Sequence, residues 1–217
     1  MTIENRKALI VWGGWPGHEP EVGARLVESM LEQDGFAVTV TNDYGAMGGS
    51  DIEDFRLVVP IVTNDEIERD IVLRLIDAVR SGVGLAGYHG ALTTSFRRSV
   101  EWHFLCGVQR VGHPGNIIDF HVDVTKPDDP VMQGLSGFDY HSEQYYLHYD
   151  PSVDILATTT FSGKHDPVTA GVTMPVAFKR QFGAGRIFYT ALGHVAAEFE
   201  HPQMRAILRR SLNWAAR

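Results

Sequence analysis

Hydrophobic and polar positions follow two rhythms along the first ninety residues. Ala8–Trp12 is a continuous apolar run, which predicts a buried strand. Val22, Leu26, Val27, Met30 and Leu31 then recur at helical spacing until Gly35 stops the pattern. Phe36–Thr41 alternates with period two and predicts a second strand, and Leu57–Val62 predicts a third. Thr63 and Glu66 have the spacing of a capping box. Ile67, Ile71, Leu75, Ile76 and Val79 follow as one helical stripe ended by Gly82, and Val83–Ala86 is a fourth strand. Short apolar strands between amphipathic helices predict an α/β fold, a three-layer sandwich with a mostly parallel central sheet covered on both faces.

The second half changes character. Phe96–Leu105 has helical spacing before Gly107, and Ile117–Thr125 predicts a strand. "TKPDDPVMQGLSGF" is a turn-rich loop, and "DYHSEQYYLHYDP" is aromatic and rich in histidine. Ile155–Phe161 predicts a strand, and Pro175–Phe182 and Arg186–Leu192 a hairpin around "GAG". A last helix has Pro202 in its first turn and Met204, Ile207, Leu208, Leu212 and Ala215 facing inward. With no repeat, low-complexity tract or linker, we expect one domain over residues 1–217.

Candidate chemistry follows from this order of elements. In an open parallel α/β sheet, ligands bind beyond the carboxyl ends of the strands. The loop after the first strand carries Trp15 and His18, with Glu19 beside them. The loop after the fourth carries Tyr88 and His89 in "LAGYHGA", and the turn after the last carries His194. Three histidines therefore leave three strands at one edge. A lone loop histidine is as readily a surface or capping residue; three at one edge point to a site. His113 lies in the loop "VGHPGN". In "HSEQYYLHYD", a strand would put Glu143 and Tyr145 on one face, an acid and a phenol suited to proton transfer, with His148 nearby. His121 and His141 read as structural, His103 lies on a helix and His201 caps one, and Cys106 reads as an inert buried thiol.

His18, His89 and His194 are candidate ligands for a divalent metal, zinc or manganese, although no HxxxH or HxH pair exists and the ligands must come from separate loops. "GGWPGHEP" lacks the glycine pattern of a dinucleotide site, and there is no P-loop or GxSxG, so no nucleotide cofactor is expected.

Charge and cysteine content narrow the class. The net charge is −8 and no basic run exceeds two residues, so nucleic acid is not the expected partner. One cysteine permits no intrachain disulfide, which suits the cytoplasm. The amino-terminal apolar run is too short for a signal peptide, and no stretch is long enough to span a membrane. Homo-oligomerisation is plausible for a chain of this size.

Several segments together carry a family resemblance. "LAGYHGA", "HFLCGVQRVGHPGN", "DFHVDVTKPDDPVMQGL", "YHSEQYYLHYDPSVDILATT" and "MPVAFKRQFGAGRIFYTALGHVAAEF" resemble the trehalose-utilisation ThuA family, over about Ala8 to Trp214. The "SEQYYLHYD" form resembles the proteobacterial members most. The resemblance implies a flavodoxin-like fold of the class I glutamine amidotransferase type. In those relatives a strand-to-helix elbow carries a cysteine, and a histidine follows the last strand of the triad. Here His194 holds the comparable place, while the elbow holds Tyr88 and His89, so thiol-based glutamine hydrolysis is not implied. Hydrolysis by Thr93 or Ser95 is a weak substitute.

The resemblance also implies sugar catabolism. The substrate would be trehalose, a related disaccharide or a 3-keto derivative supplied by a partner sugar oxidoreductase. Isomerisation or elimination, by acid–base or metal-assisted chemistry, would fall to His89, Glu143 and His194. Trp15, His18, Tyr88, His113, Tyr145 and His148 would bind substrate. The alternative is a non-catalytic module that binds the sugar or a partner protein.

Overall fold

The computed structural model describes residues 6–216. The first five residues, part of the stretch read above as too short for a signal peptide, and Arg217 lie outside it. The elements run β1 (Lys7–Gly14), α1 (Pro20–Gln33), β2 (Ala37–Thr41), β3 (Leu57–Thr63), α2 (Arg69–Ser81), β4 (Gly84–Tyr88), α3 (Val100–Cys106) and β5 (Val108–Gly112). They continue β6 (Ile117–Val124), β7 (Phe138–Glu143), β8 (Tyr146–Tyr149), β9 (Asp154–Thr160), β10 (Thr173–Phe182), β11 (Gly185–Thr190) and α4 (Pro202–Ala215).

The main sheet has the order β2-β1-β3-β4-β11-β10-β9-β6-β7. Its first five strands pair in parallel. From β11 onward every pair is antiparallel. The expected mostly parallel sheet is therefore half parallel and half antiparallel. The short connections of the second half, such as the Gly183–Ala184 turn between β10 and β11, can only reverse the chain. A separate β5–β8 ribbon, absent from the sequence expectation, packs beside it.

Alternation along the strands builds two cores. Ala8, Ile10, Val59 and Phe188 pack with Ala24 and Val27 of α1 and Met204 and Leu208 of α4. Leu9, Val11, Val58 and Tyr189 pack with Val72 and Leu75 of α2 and Trp102 of α3. Helices thus cover both faces, as the apolar strand runs require.

Two local departures shape the edge where the loops gather. Pro60 sits inside β3, where it has no N–H for a ladder bond. The β3–β4 register ends at Val58↔Leu85, whereas the β1–β3 register runs on to Gly14↔Thr63. The carboxyl ends of β3 and β4 are left unpaired with each other, and side chains from the first loop enter there. The second departure is the expected helix after β4. Residues 89–98 form successive turns, and helix begins only at Val100. Leu92 adopts φ 65°, a left-handed conformation that stops helical propagation. Thr63 is not a cap either: α2 starts at Arg69 behind Glu68, and the Thr63 hydroxyl turns to His18. No helix among the described residues is long and apolar enough to cross a membrane.

Candidate functional site

His89 follows β4 directly with φ 47°, a strained conformation for a side chain with a Cβ. Its surroundings over-determine it. The backbone N–H donates to Thr190 O at 2.7 Å. The carbonyl accepts from the Tyr189 and Thr93 hydroxyls, each at 2.9 Å. Nδ1 lies 3.0 Å from the Ala191 carbonyl. A carbonyl only accepts, so Nδ1 carries a proton, and Nε2 is the nitrogen turned to the site. The turn after β4 thus presents an imidazole to the site.

Three further side chains converge on that ring. His18, in the turn after β1, packs edge-on to His89 and His194 at centroid distances of 4.7 and 5.0 Å. Its Nδ1 lies 3.0 Å from the Thr63 hydroxyl. Gly90 permits this approach, since a Cβ there would fall 2.5 Å from Thr63 Oγ1 and 2.9 Å from His18 Nδ1. His194 stacks at 4.8 Å from His89. Glu143, at the end of β7, places Oε2 3.2 Å from His89 Nε2 and Oε1 3.5 Å from His113 Nδ1. One ligand atom from each of His18, His89, Glu143 and His194 lies within 4.8 Å of the others.

The electrostatics suit a cation. Burial, helped by His89 and His194, pushes His18 down to about 3. Burial, with His89 beside it, also lowers His194, so both rings stand neutral near pH 7. Burial would raise the Glu143 carboxyl, but the hydrogen bond to His89 and the positive charge that His89, His113 and His194 supply when protonated outweigh it and hold it at about 2. Burial first, then Tyr189 and Glu143, pushes the Tyr145 phenol up, and its hydroxyl lies 2.7 Å from His89 Nε2. Nε2 and the carboxylate stand 3.2 Å apart; a proton on Nε2 makes this contact a hydrogen bond, and a cation bound by both groups would take that proton's place. Neutral imidazoles and one carboxylate are the donor types that zinc and manganese take. The cavity bordered by His18, His89 and His194 measures about 10 Å³, room for one small body.

The structure therefore gathers His18, His89, Glu143, His194, His113 and Tyr145. Glu143 and Tyr145 meet at His89, although β7 ends between them and the chain passes into the β5–β8 ribbon. Trp15, half exposed, packs edge-on to His18 at the rim. Of the expected substrate contacts, one falls elsewhere and one lies behind the cavity. His148 is exposed on β8, opposite Gln109, outside the cluster. Tyr88 is buried, its ring against Phe199 and its hydroxyl under Gly23 of α1, so it backs the site. Thr93 and Ser95 are fully buried: Thr93 donates to the His89 carbonyl and the Ser95 hydroxyl accepts from Leu92 N, which leaves neither as a nucleophile. Cys106 is buried and its thiol is pushed up by that burial.

Glu198 was not singled out from the sequence. Its Oε2 accepts from the Tyr140 hydroxyl at 2.6 Å, Gly193 N at 3.1 Å and His194 N at 3.0 Å, and its Oε1 from the Ser142 hydroxyl at 2.8 Å. One carboxylate thus fixes the His194 turn to β7, one residue from Glu143. Its only sequence signal was its place four residues after His194. Glu198→Gln turns one of these acceptors into a donor. Metal affinity of the folded protein should fall roughly 10- to 100-fold, as for partners that orient metal ligands. A titration with zinc beside a melting curve checks this; lower melting with unchanged affinity would mean a purely structural carboxylate.

The profile of the ThuA family, described as trehalose utilisation, matches residues 7–215. A ThuA-like protein from Parabacteroides merdae ATCC 43184 is similar in structure, with a TM-score of 0.78 at 20% identity over 97% of this chain and 90% of that one. One from Bacteroides uniformis ATCC 8492 gives 0.77 at 16%, over 97% and 91%. The β-galactosidase from Rahnella sp. R3 gives 0.61 at 16%, over 97% of this chain but 30% of that enzyme. At these identities the likenesses establish the fold alone. No curated protein matches the sequence.

Proposed function

The chain belongs to the ThuA, trehalose-utilisation, family, and from that premise we propose that it is an enzyme of disaccharide catabolism that opens a 3-keto disaccharide by metal-assisted elimination. The observation that carries this reading is the convergence of His18, His89, Glu143 and His194 within 4.8 Å. A divalent metal held by these four would act as a Lewis acid on a carbonyl or hydroxyl oxygen.

The remaining roles fall to the chain's own residues. A keto group at C3 acidifies the C2–H bond, and the glycosidic oxygen at C1 stands β to the carbonyl. Loss of the C2 proton forms the C1–C2 double bond as the C1–O bond breaks, and the freed alkoxide takes up a proton. Glu143, held ionised at about 2, is a weak proton acceptor and suits charge balance at the metal. His113, with Nδ1 3.5 Å from Glu143 Oε1, is better placed to receive the C2 proton, since the carboxylate stabilises the imidazolium that forms. Thr63 and the Ala191 carbonyl orient His18 and His89.

The experiment is to incubate the purified, metal-loaded protein with 3-keto-trehalose and follow products by mass spectrometry and NMR. Release of free glucose supports the proposal. Saturable binding with the ligand recovered unchanged would establish the non-catalytic module instead.

A further inference from the structure

The cavity bordered by the three histidines holds about 10 Å³, far too little for a sugar ring. If the cluster acts on a sugar, the ring must lie outside it and present one oxygen inward. Two larger depressions follow in turn, the first beside the cluster and the second beside the first. One, of about 580 Å³, borders the cluster at His194 and is walled by Val195, Ala197, Tyr140 and His201. The other, of about 410 Å³, runs over the β6–β7 ribbon and is lined by Asp119, His121, Gln144, Thr160 and Lys164. Ile117 and His141 border both and form the ridge between them.

We propose that the two depressions form one disaccharide site, with the reacting ring beside His194 and the second ring in the polar groove beyond the Ile117–His141 ridge. This rests on the reading of the cluster as a sugar-transforming centre, and adds where the substrate lies and why it has two rings.

The two halves differ in chemistry as the two rings require. The first is walled largely by apolar groups, which suit the C–H face of a pyranose, and both fall in the size range of small-molecule sites. Ile117 lies on the ridge 42% exposed, an apolar side chain without a packing role there. The second half offers donors and acceptors. Asp119 accepts from His141 Nδ1 at 2.7 Å, and Asp139 from His121 Nδ1 at 2.7 Å. Each pair sits directly across the β6–β7 ladder. All four side chains are at least half exposed, so the pairs contribute little to stability, and the fold does not account for them. Fixed carboxylate and imidazole groups on an exposed ribbon can bind sugar hydroxyls without rearranging.

The test is titration of trehalose and glucose, by ligand-observed NMR, into the metal-loaded protein, Ala197→Trp and Asp119→Ala. Metal content and melting temperature serve as fold controls. Wild type should bind trehalose at least about tenfold more tightly than glucose, the worth of one or two hydrogen bonds from the second ring. Ala197→Trp should fill the first half and weaken both sugars at least about tenfold. Asp119→Ala should lower trehalose to the level of glucose and leave glucose unchanged. Trehalose binding unaltered in both variants would overturn this site while leaving the cluster's chemistry standing. Failure of wild type to bind either sugar would overturn this site, and turnover of 3-keto-trehalose by the same preparation decides the functional reading separately.

Discussion

His89→Ala should reduce turnover of a 3-keto disaccharide at least about a hundredfold, more than is lost when only a partner of a metal ligand is removed. His89 touches four other groups of the site: Tyr145 and Glu143 at Nε2, and the rings of His18 and His194. Stability will fall as well. The ring is buried, and its loss leaves the Ala191 carbonyl without its partner, while the Tyr145 hydroxyl keeps only Glu143. Each orphaned buried group costs about 1–3 kcal/mol. His89→Asn separates the two effects, because asparagine tolerates φ near 47° and keeps a polar side chain. Its melting temperature should lie nearer wild type, and its turnover should be as low as that of the alanine variant. Wild-type turnover in His89→Asn would show that the imidazole is not required.

Glu143→Gln should have the second largest effect. Shape is preserved, but the single carboxylate among three imidazoles is gone, and the His113 ring loses its anion. Metal affinity should drop at least about a hundredfold, more than for the loss of a group that only orients a ligand. Turnover should stay reduced at saturating metal, because the carboxylate no longer stabilises a protonated His113. Stopped-flow or discontinuous assays across a metal titration separate these contributions. Full recovery of turnover at high metal would restrict Glu143 to the role of ligand and remove the proton-transfer role given to the His113 pair.

Much of this site was legible in the sequence because one geometric rule sufficed. His18, His89 and His194 follow β1, β4 and β11, strands of the parallel half whose carboxyl ends share an edge. The rule needs only strand order, which the apolar runs supply. What it cannot supply is orientation. Tyr88 and His89 are neighbours, yet Tyr88 points into the core under α1 and His89 into the site, because side chains at the end of a strand point to opposite faces. His148 misled for a related reason: its aromatic segment is divided between two sheets, so nearness to Glu143 in sequence does not carry over to space. Glu198 was hidden because its role consists of hydrogen bonds to backbone groups and to β7, which leave no pattern in residue types. Of the antiparallel half the β10–β11 hairpin was legible from its short turn, but the pairing of β9, β6 and β7 was not, because long loops separate them, and the β5–β8 ribbon was hidden because its strands are short and half exposed.

The central claim is that these four residues hold a metal. The direct measurement is elemental mass spectrometry of the untagged, dialysed protein, wild type beside His89→Ala, after growth with supplemented zinc, manganese and iron. Near-stoichiometric metal in wild type and its loss in the variant is the predicted result. Metal-free wild type, or equal metal in both proteins, would contradict it.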